Sequence, residues 1–178
     1  MEEYHALLAQ GILHEHDRVE LLKGEIHALC PVNVRHAHCV RRLNWLFNSC
    51  FGARVIVDIQ NPIRLDAYSE PQPDVTLLRP RADFYATEHP QPEDILLVVE
   101  VADSSLIYDR EVKHQLYAAA GIAEFWVVNL VEGRLEVYRE PTAQGYRHRQ
   151  WLWEGDTITL AAFPDIPCKL EHLWSADA

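Results

Sequence analysis

The stretch ILLVVEVADSSLIYDREVKHQLYAAAGIAEFWVV, residues 95–128, decides the fold class. Ile95 to Val101 is apolar on both faces apart from Glu100, as a central strand covered on two sides would be. Ser104 or Ser105 is placed to cap a helix that runs to Ala120, and Gly121 stops it. Phe125-Trp126-Val127-Val128 is then a second buried strand. Strand, helix and strand thus follow one another through this stretch.

The flanks fill in the sheet. Asp74 to Leu78, opened by Pro73, is a short apolar strand, and Arg134 to Tyr138 alternates after a Glu132-Gly133 turn. Upstream, a short helix ends at Ala9-Gln10-Gly11, and Asp17 to Cys30 reads as a hairpin around Lys23-Gly24. Asn33 caps an amphipathic helix carrying Val34, Ala37, Leu43, Leu46, Phe47 and Cys50, which reaches Gly52 and is expected to lie across the sheet. Ala53 to Ile59 is β-branched and reads as a strand that Pro62 to Leu65 extends. Trp151-Leu152-Trp153 and Thr157 to Leu160 supply shorter strands, and Lys169 to Trp174 is expected to close with a helical turn. With no repeat and no composition break, residues 1–178 are read as a single domain.

The 178 residues are 48% hydrophobic and 24% charged, which excludes collagen-like, disordered and disulfide-scaffold classes. No apolar run approaches the roughly 20 residues of a membrane span, and Met1-Glu2-Glu3-Tyr4-His5 lacks a basic signal-peptide start, so a cytoplasmic protein is expected. Lys+Arg 16 against Asp+Glu 27 gives a net charge of -11, a field that repels polyanions unless the bases gather on one face. Cys30, Cys39, Cys50 and Cys168 form no CxxC pair and are read as buried reduced thiols.

If the strands at Asp74 and Glu100 are antiparallel neighbours, the two carboxylates meet at one edge of the sheet. A divalent cation with hard oxygen ligands would relieve their repulsion, whereas strand-end acids in general are solvated loop residues. Glu100 ends an apolar run, where an unpaired charge is costly. Asp109, Lys113 and Tyr117 fall at i, i+4 and i+8 of the next helix. Lys113 can reach back over the strand ends to act on a water or a phosphate, or simply pair with Asp109 at the surface.

Pro73-Asp74, Val99-Glu100-Val101-Ala102-Asp103-Ser104-Ser105, Asp109 with Lys113 and Tyr117, and Ala120-Gly121-Ile122-Ala123-Glu124-Phe125-Trp126-Val127-Val128 together resemble the signature of the Uma-two family of restriction endonucleases, within the PD-(D/E)XK nuclease superfamily. Val19 to Glu25 and His36 extend the likeness over nearly the whole chain. The resemblance implies an α/β, restriction-endonuclease-like core, a mixed bent β-sheet flanked by helices. It also implies a metal-dependent endonuclease acting on nucleic acid, first of all DNA, with Asp74 and Glu100 holding Mg²⁺ or Mn²⁺. Glu20 is the third acid by the same carry-over, and His36 a further catalytic candidate whose plain alternative is a helix-start histidine bonded to backbone. The superfamily's usual lysine, two residues after the second acid, is Ala102 here; the family pattern moves it to the following helix, as Lys113. Homodimerisation is also implied by the resemblance, and Trp151-Leu152-Trp153, whose tryptophans are read as exposed, offers an interface.

Two rivals stand beside this reading. One is a catalytically inactive nuclease-fold homodimer serving as a binding or scaffold protein, favoured by the acidic charge and by the absence of an evident basic-aromatic stripe; the best basic cluster in the chain, Arg134, Arg139, Arg147, His148 and Arg149, reads equally well as a solvated strand face. The other is a zinc protein using His14, His16, His36, His38, Cys30 and Cys39, against which the spacing argues.

Overall fold

The computed structural model describes residues 1–14 and 17–174. Its centre is a six-stranded mixed sheet in the order β3-β4-β5-β6-β7-β8. These strands are β3 (Ile56–Ile59), β4 (Val75–Leu78), β5 (Ile95–Ala102), β6 (Glu124–Asn129), β7 (Arg134–Thr142) and β8 (Gly145–Leu152). Only β5 and β6 pair in parallel, which requires a crossover, and the helical segment between them provides it. The remaining pairs are antiparallel.

Alternation along β5 sorts its side chains. Leu97, Val99 and Val101 face the cluster built on α2 (Val34–Phe51), with Leu43, Phe47, Phe51 and Trp126, while Val98 and Ala102 face Leu116, Tyr117, Phe125 and Val127 on the other side. Every β5 residue is buried, as a central strand demands. Asn33 caps α2 by accepting from the His36 amide at 3.0 Å. Phe47 is fully enclosed, so Phe47→Ala would cost about 3–5 kcal/mol.

Two antiparallel ribbons flank the sheet: β1 (Val19–Leu22) with β2 (Glu25–Ala28), and β9 (Thr157–Leu160) with β10 (Phe163–Lys169). The helix α1 (Glu2–Ala9) precedes the first. An isolated bridge between Leu21 and Glu70 brings β1 toward the loop that leads into β4.

Four local expectations change. Residues 52–54 form a 3₁₀ turn after α2, so β3 begins at Ile56 rather than Ala53. Residues 62–65 do not extend β3, because Gln60 turns into the left-handed region at φ 53 and the Ile63 and Arg64 amides donate to Pro71 and Pro90 carbonyls. Lys169 ends β10, and residues 170–174 run on as irregular chain with a bend rather than as the closing helical turn. The single helix expected from Ser104 to Ala120 is α3 (Leu106–Tyr108), a π-helical turn at Asp109–Lys113 and α4 (His114–Ala119). Cys39 and Cys168 are buried, Cys50 is half-buried and Cys30 is exposed; all four are free thiols. Among the described residues no helix is long and apolar enough to cross a membrane.

Candidate active site

The β4–β5 register pairs Val75 with Val99, which sets Asp74 opposite Glu100 at the sheet edge. Asp74 Oδ2 accepts from the Val101 amide at 2.8 Å and pairs with His36 Nε2 at 3.0 Å, and Oδ1 accepts from Gln60 Nε2 at 3.1 Å. The turn at Gln60 that ends β3 is what delivers that amide, since the Gln60 backbone also donates to the Asp74 carbonyl. Burial pushes the Asp74 carboxyl up, but His36, Val101 and Gln60 together outweigh it and hold the group below the usual carboxylate range. Asp74 is therefore an anion fixed from three sides.

Glu100 is held differently. Its Oε1 accepts from Lys113 Nζ at 3.0 Å and from the Tyr117 hydroxyl at 2.6 Å. Lys113 Nζ also donates to Glu20 Oε2 at 2.7 Å, and that oxygen accepts the Gln72 amide at 3.1 Å. One ammonium thus bridges an acid from the first ribbon and an acid from the central strand. The π turn carries it there: Asp109 and Lys113 are both only 3% exposed, and no Asp109–Lys113 ion pair forms. Asp109 accepts from the Ser105 hydroxyl at 2.6 Å instead. A single wide turn inserted in a helix is a recurrent feature of functional sites.

The charges do not balance. Glu20, Asp74, Glu100 and Asp109 gather around one ammonium and one imidazole. Burial, only partly offset by Lys113 and reinforced by Asp109, Asp74 and Glu20, pushes the Glu100 carboxyl up to about 8. Burial likewise raises Asp109 to about 6 despite Ser105 and Lys113. Burial would lower Lys113, but Glu100 and Glu20 more than compensate and keep it well above the ordinary lysine range. Lys113 is thus a permanent cation and hydrogen-bond donor, not a base.

These groups line a cleft whose water-accessible volume is about 90 Å³, walled by the start of α2, the Leu29–Asn33 loop, the ends of β4 and β5 and the π turn. Among the described residues five buried side-chain nitrogen or oxygen atoms lack a partner, and two of them, His36 Nδ1 and the Tyr108 hydroxyl, are on residues that line this cleft. Leaving a buried polar atom unpaired costs about 1–3 kcal/mol, so both atoms keep hydrogen-bonding capacity for a further partner. Burial and the neighbouring acid Glu20 push the Tyr108 phenol up to about 12, which keeps it a donor.

All five residues singled out from the sequence, Glu20, His36, Asp74, Glu100 and Lys113, converge here, and the Tyr117 hydroxyl reaches the same cluster. Tyr108, Gln60 and Gln72 were not legible. Nothing in a lone tyrosine or in two loop glutamines marks them until the chain folds. The zinc candidates separate: His38 Nε2 bonds the His172 carbonyl, Cys39 lies in the core, Cys30 is exposed, and His16 is outside the described residues. Among the described residues no three His, Cys, Asp or Glu side chains converge as metal ligands. Two carboxylates suffice for a hard divalent ion that keeps most of its waters. Asp74 Oδ1, with one hydrogen bond, and Glu100 Oε2, with none, retain the lone pairs to serve it. The surplus of negative charge fits such an ion as well.

The chain matches the Uma2 family model, described as "Putative restriction endonuclease", over residues 1–171. No curated protein matches it. Among solved structures it is similar to "a putative nuclease belonging to DUF820" from Anabaena variabilis, at 14% identity and a TM-score of 0.68, with 93% of this chain and 94% of that chain covered. At that identity the likeness concerns the fold.

Proposed function

From the premise that this chain belongs to the Uma2 family, we propose that the cleft hydrolyses phosphodiester bonds of nucleic acid, DNA first, with Mg²⁺ or Mn²⁺ held by Asp74 and Glu100. The observation that carries the reading is the Lys113 ammonium, delivered by the π turn to Glu100 and Glu20 although the position two residues after Glu100 is Ala102. When bound, the cation supplies a water of lowered pKa and charge for a phosphate oxygen.

The chain's own groups do the rest. Val101, Gln60 and His36 fix the Asp74 carboxylate, and Tyr117 and Lys113 fix that of Glu100. Glu20 orients the lysine, whose remaining donor stabilises charge developing on the phosphoryl oxygens. With Nε2–H committed to Asp74, His36 keeps Nδ1 to accept the proton of the attacking water. The Tyr108 hydroxyl donates to a non-bridging phosphate oxygen. Water oxygen bonds to phosphorus as the ester oxygen opposite leaves and takes a proton from solvent. The reading includes self-association through Trp151 and Trp153, 41% and 50% exposed, which sedimentation checks.

The test is cleavage of supercoiled plasmid, single-stranded DNA and RNA with Mg²⁺ or Mn²⁺, beside folded Asp74→Ala and Glu100→Ala proteins. Cutting by the parent alone is the expected result. A parent that binds neither metal nor nucleic acid overturns the nuclease reading in favour of a scaffold that has kept the fold.

A further inference from the structure

The longest stretch of the chain without Asp or Glu runs from Ile26 to Val57 and carries four arginines, Arg35, Arg41, Arg42 and Arg54; a shorter one, residues 141–153, carries Arg147 and Arg149. Most of the longer stretch is α2. Its inner face is Cys39, Val40, Leu43, Leu46, Phe47 and Phe51, so helical spacing turns Val34, Arg41 and Trp45 outward, and Val34 and Trp45 are 84% and 61% exposed. An exposed aromatic ring beside cations is the pairing on which an unpaired base stacks while its phosphates meet positive charge. Arg42 donates to the Glu171 carbonyl at 3.2 Å with its guanidinium 5.1 Å from the Trp45 ring centre, Arg35 donates to the Leu130 carbonyl and pairs with Asp103 at 3.7 Å, and Arg41 has no partner among the described residues.

The same helix begins in the cleft, where Asn33 and His36 form part of the wall. At 1.5 Å per residue, Arg41 and Trp45 follow His36 by about 8 and 13 Å along the axis, a span of about four phosphates on one strand. The other basic surface, Arg147, His148 and Arg149 on β8, sits on the sheet edge three strands from β5, about 14 Å away. Its neighbours Arg134 and Arg139 are committed to Glu136 and Glu124.

We propose that the outer face of α2, Arg41 and Trp45 with Arg35 and Arg42 beside them, is the track on which the nucleic-acid strand lies as it enters the cleft. The inference rests on the nuclease reading and adds the surface. It also answers the repulsion expected of a chain carrying -11, since the longest acid-free segment is the one that abuts the site. Arginine contacts to phosphate release counterions, and an exposed tryptophan stacks on an unpaired base whatever its identity.

The experiment is fluorescence anisotropy of labelled single-stranded and duplex oligonucleotides without added metal, across a salt series. Arg41→Glu is expected to weaken binding by about tenfold and to lower the salt slope by about one, and Arg41→Lys to restore it within about twofold. Trp45→Ala should weaken the single strand by at least about fivefold. Arg147→Glu makes the same change of net charge on β8 and should stay within about twofold of the parent. Equal losses in Arg41→Glu and Arg147→Glu, or a loss in Arg147→Glu alone, overturn the α2 track while leaving the nuclease reading intact. A parent that binds no oligonucleotide overturns the track, and one that in addition binds neither Mg²⁺ nor Mn²⁺ overturns the nuclease reading as well.

Discussion

Glu100 on β5 and Glu136 on β7 are both buried glutamates on inner strands of one sheet, yet their surroundings are opposite. Glu136 accepts from Arg110, Asn129, Arg134 and Tyr138, among them Arg110 Nε at 3.0 Å and Tyr138 Oη at 2.8 Å. Burial pushes its carboxyl up, but Arg110, Tyr138 and Asn129 overcome that and bring it down to about 2. Glu100 has two donors, three acidic neighbours and a carboxyl near 8. A buried acid with all its lone pairs served is a structural joint; one left short of positive charge keeps lone pairs free, which is what the proposed cation would use. The two are linked, because Arg110 and Lys113 belong to the same π turn: the Glu136 joint pins the turn that delivers the lysine.

The contrast is broken most severely by exchanging the consequences of mutation. Asp74→Ala or Glu100→Ala should lower single-turnover cleavage by at least about a thousandfold with the fold kept by circular dichroism. Glu136→Gln, by contrast, should cost about 2 kcal/mol in urea unfolding, since Arg110 and Arg134 lose a buried anion but stay partly exposed. Its cleavage should remain within about tenfold of the parent. Next, Lys113→Met should lower the rate by about a hundredfold or more with KM little changed, as expected for a donor that acts on developing charge.

Without metal, pH separates the two acids by sign. Glu100 is raised above its unfolded value of about 4.5, so the folded state holds the extra proton and stability falls as pH rises from about 4.5 through 8. Glu136 is depressed, so its contribution is present above about 4.5 and disappears as pH falls toward 2. Thermal scans should show Glu100→Gln removing the alkaline decline and Glu136→Gln removing part of the acid one. The smallest effect belongs to Tyr108→Phe: cleavage lower by about tenfold, and stability equal or slightly higher, because an unpaired buried hydroxyl is removed. A stability loss there would show that the hydroxyl already has a partner in solution.

Much of this was legible in the sequence where apolar pattern and caps decide the outcome. The run around Glu100, the Asn33 cap and the Glu132-Gly133 turn all specify local structure by themselves. The π turn was not legible, because i, i+4 spacing on an ordinary helix makes Asp109–Lys113 a surface pair, and only burial against β1 and β5 draws the lysine to Glu20 and Glu100. Gln60 and Tyr108 escaped notice for the same reason: their roles depend on partners distant in the chain. The basic face of α2 escaped because a whole-chain charge conceals where the acids are missing.

The most direct measurement is the melting temperature of the parent and of Glu100→Gln at pH 8 with and without Mg²⁺ or Mn²⁺. A cation that takes the place of the Glu100 proton should raise the parent's melting temperature, and by more at pH 8 than at pH 5, while leaving Glu100→Gln nearly unmoved. A parent indifferent to both ions, or a Glu100→Gln protein stabilised as much as the parent, would contradict the account.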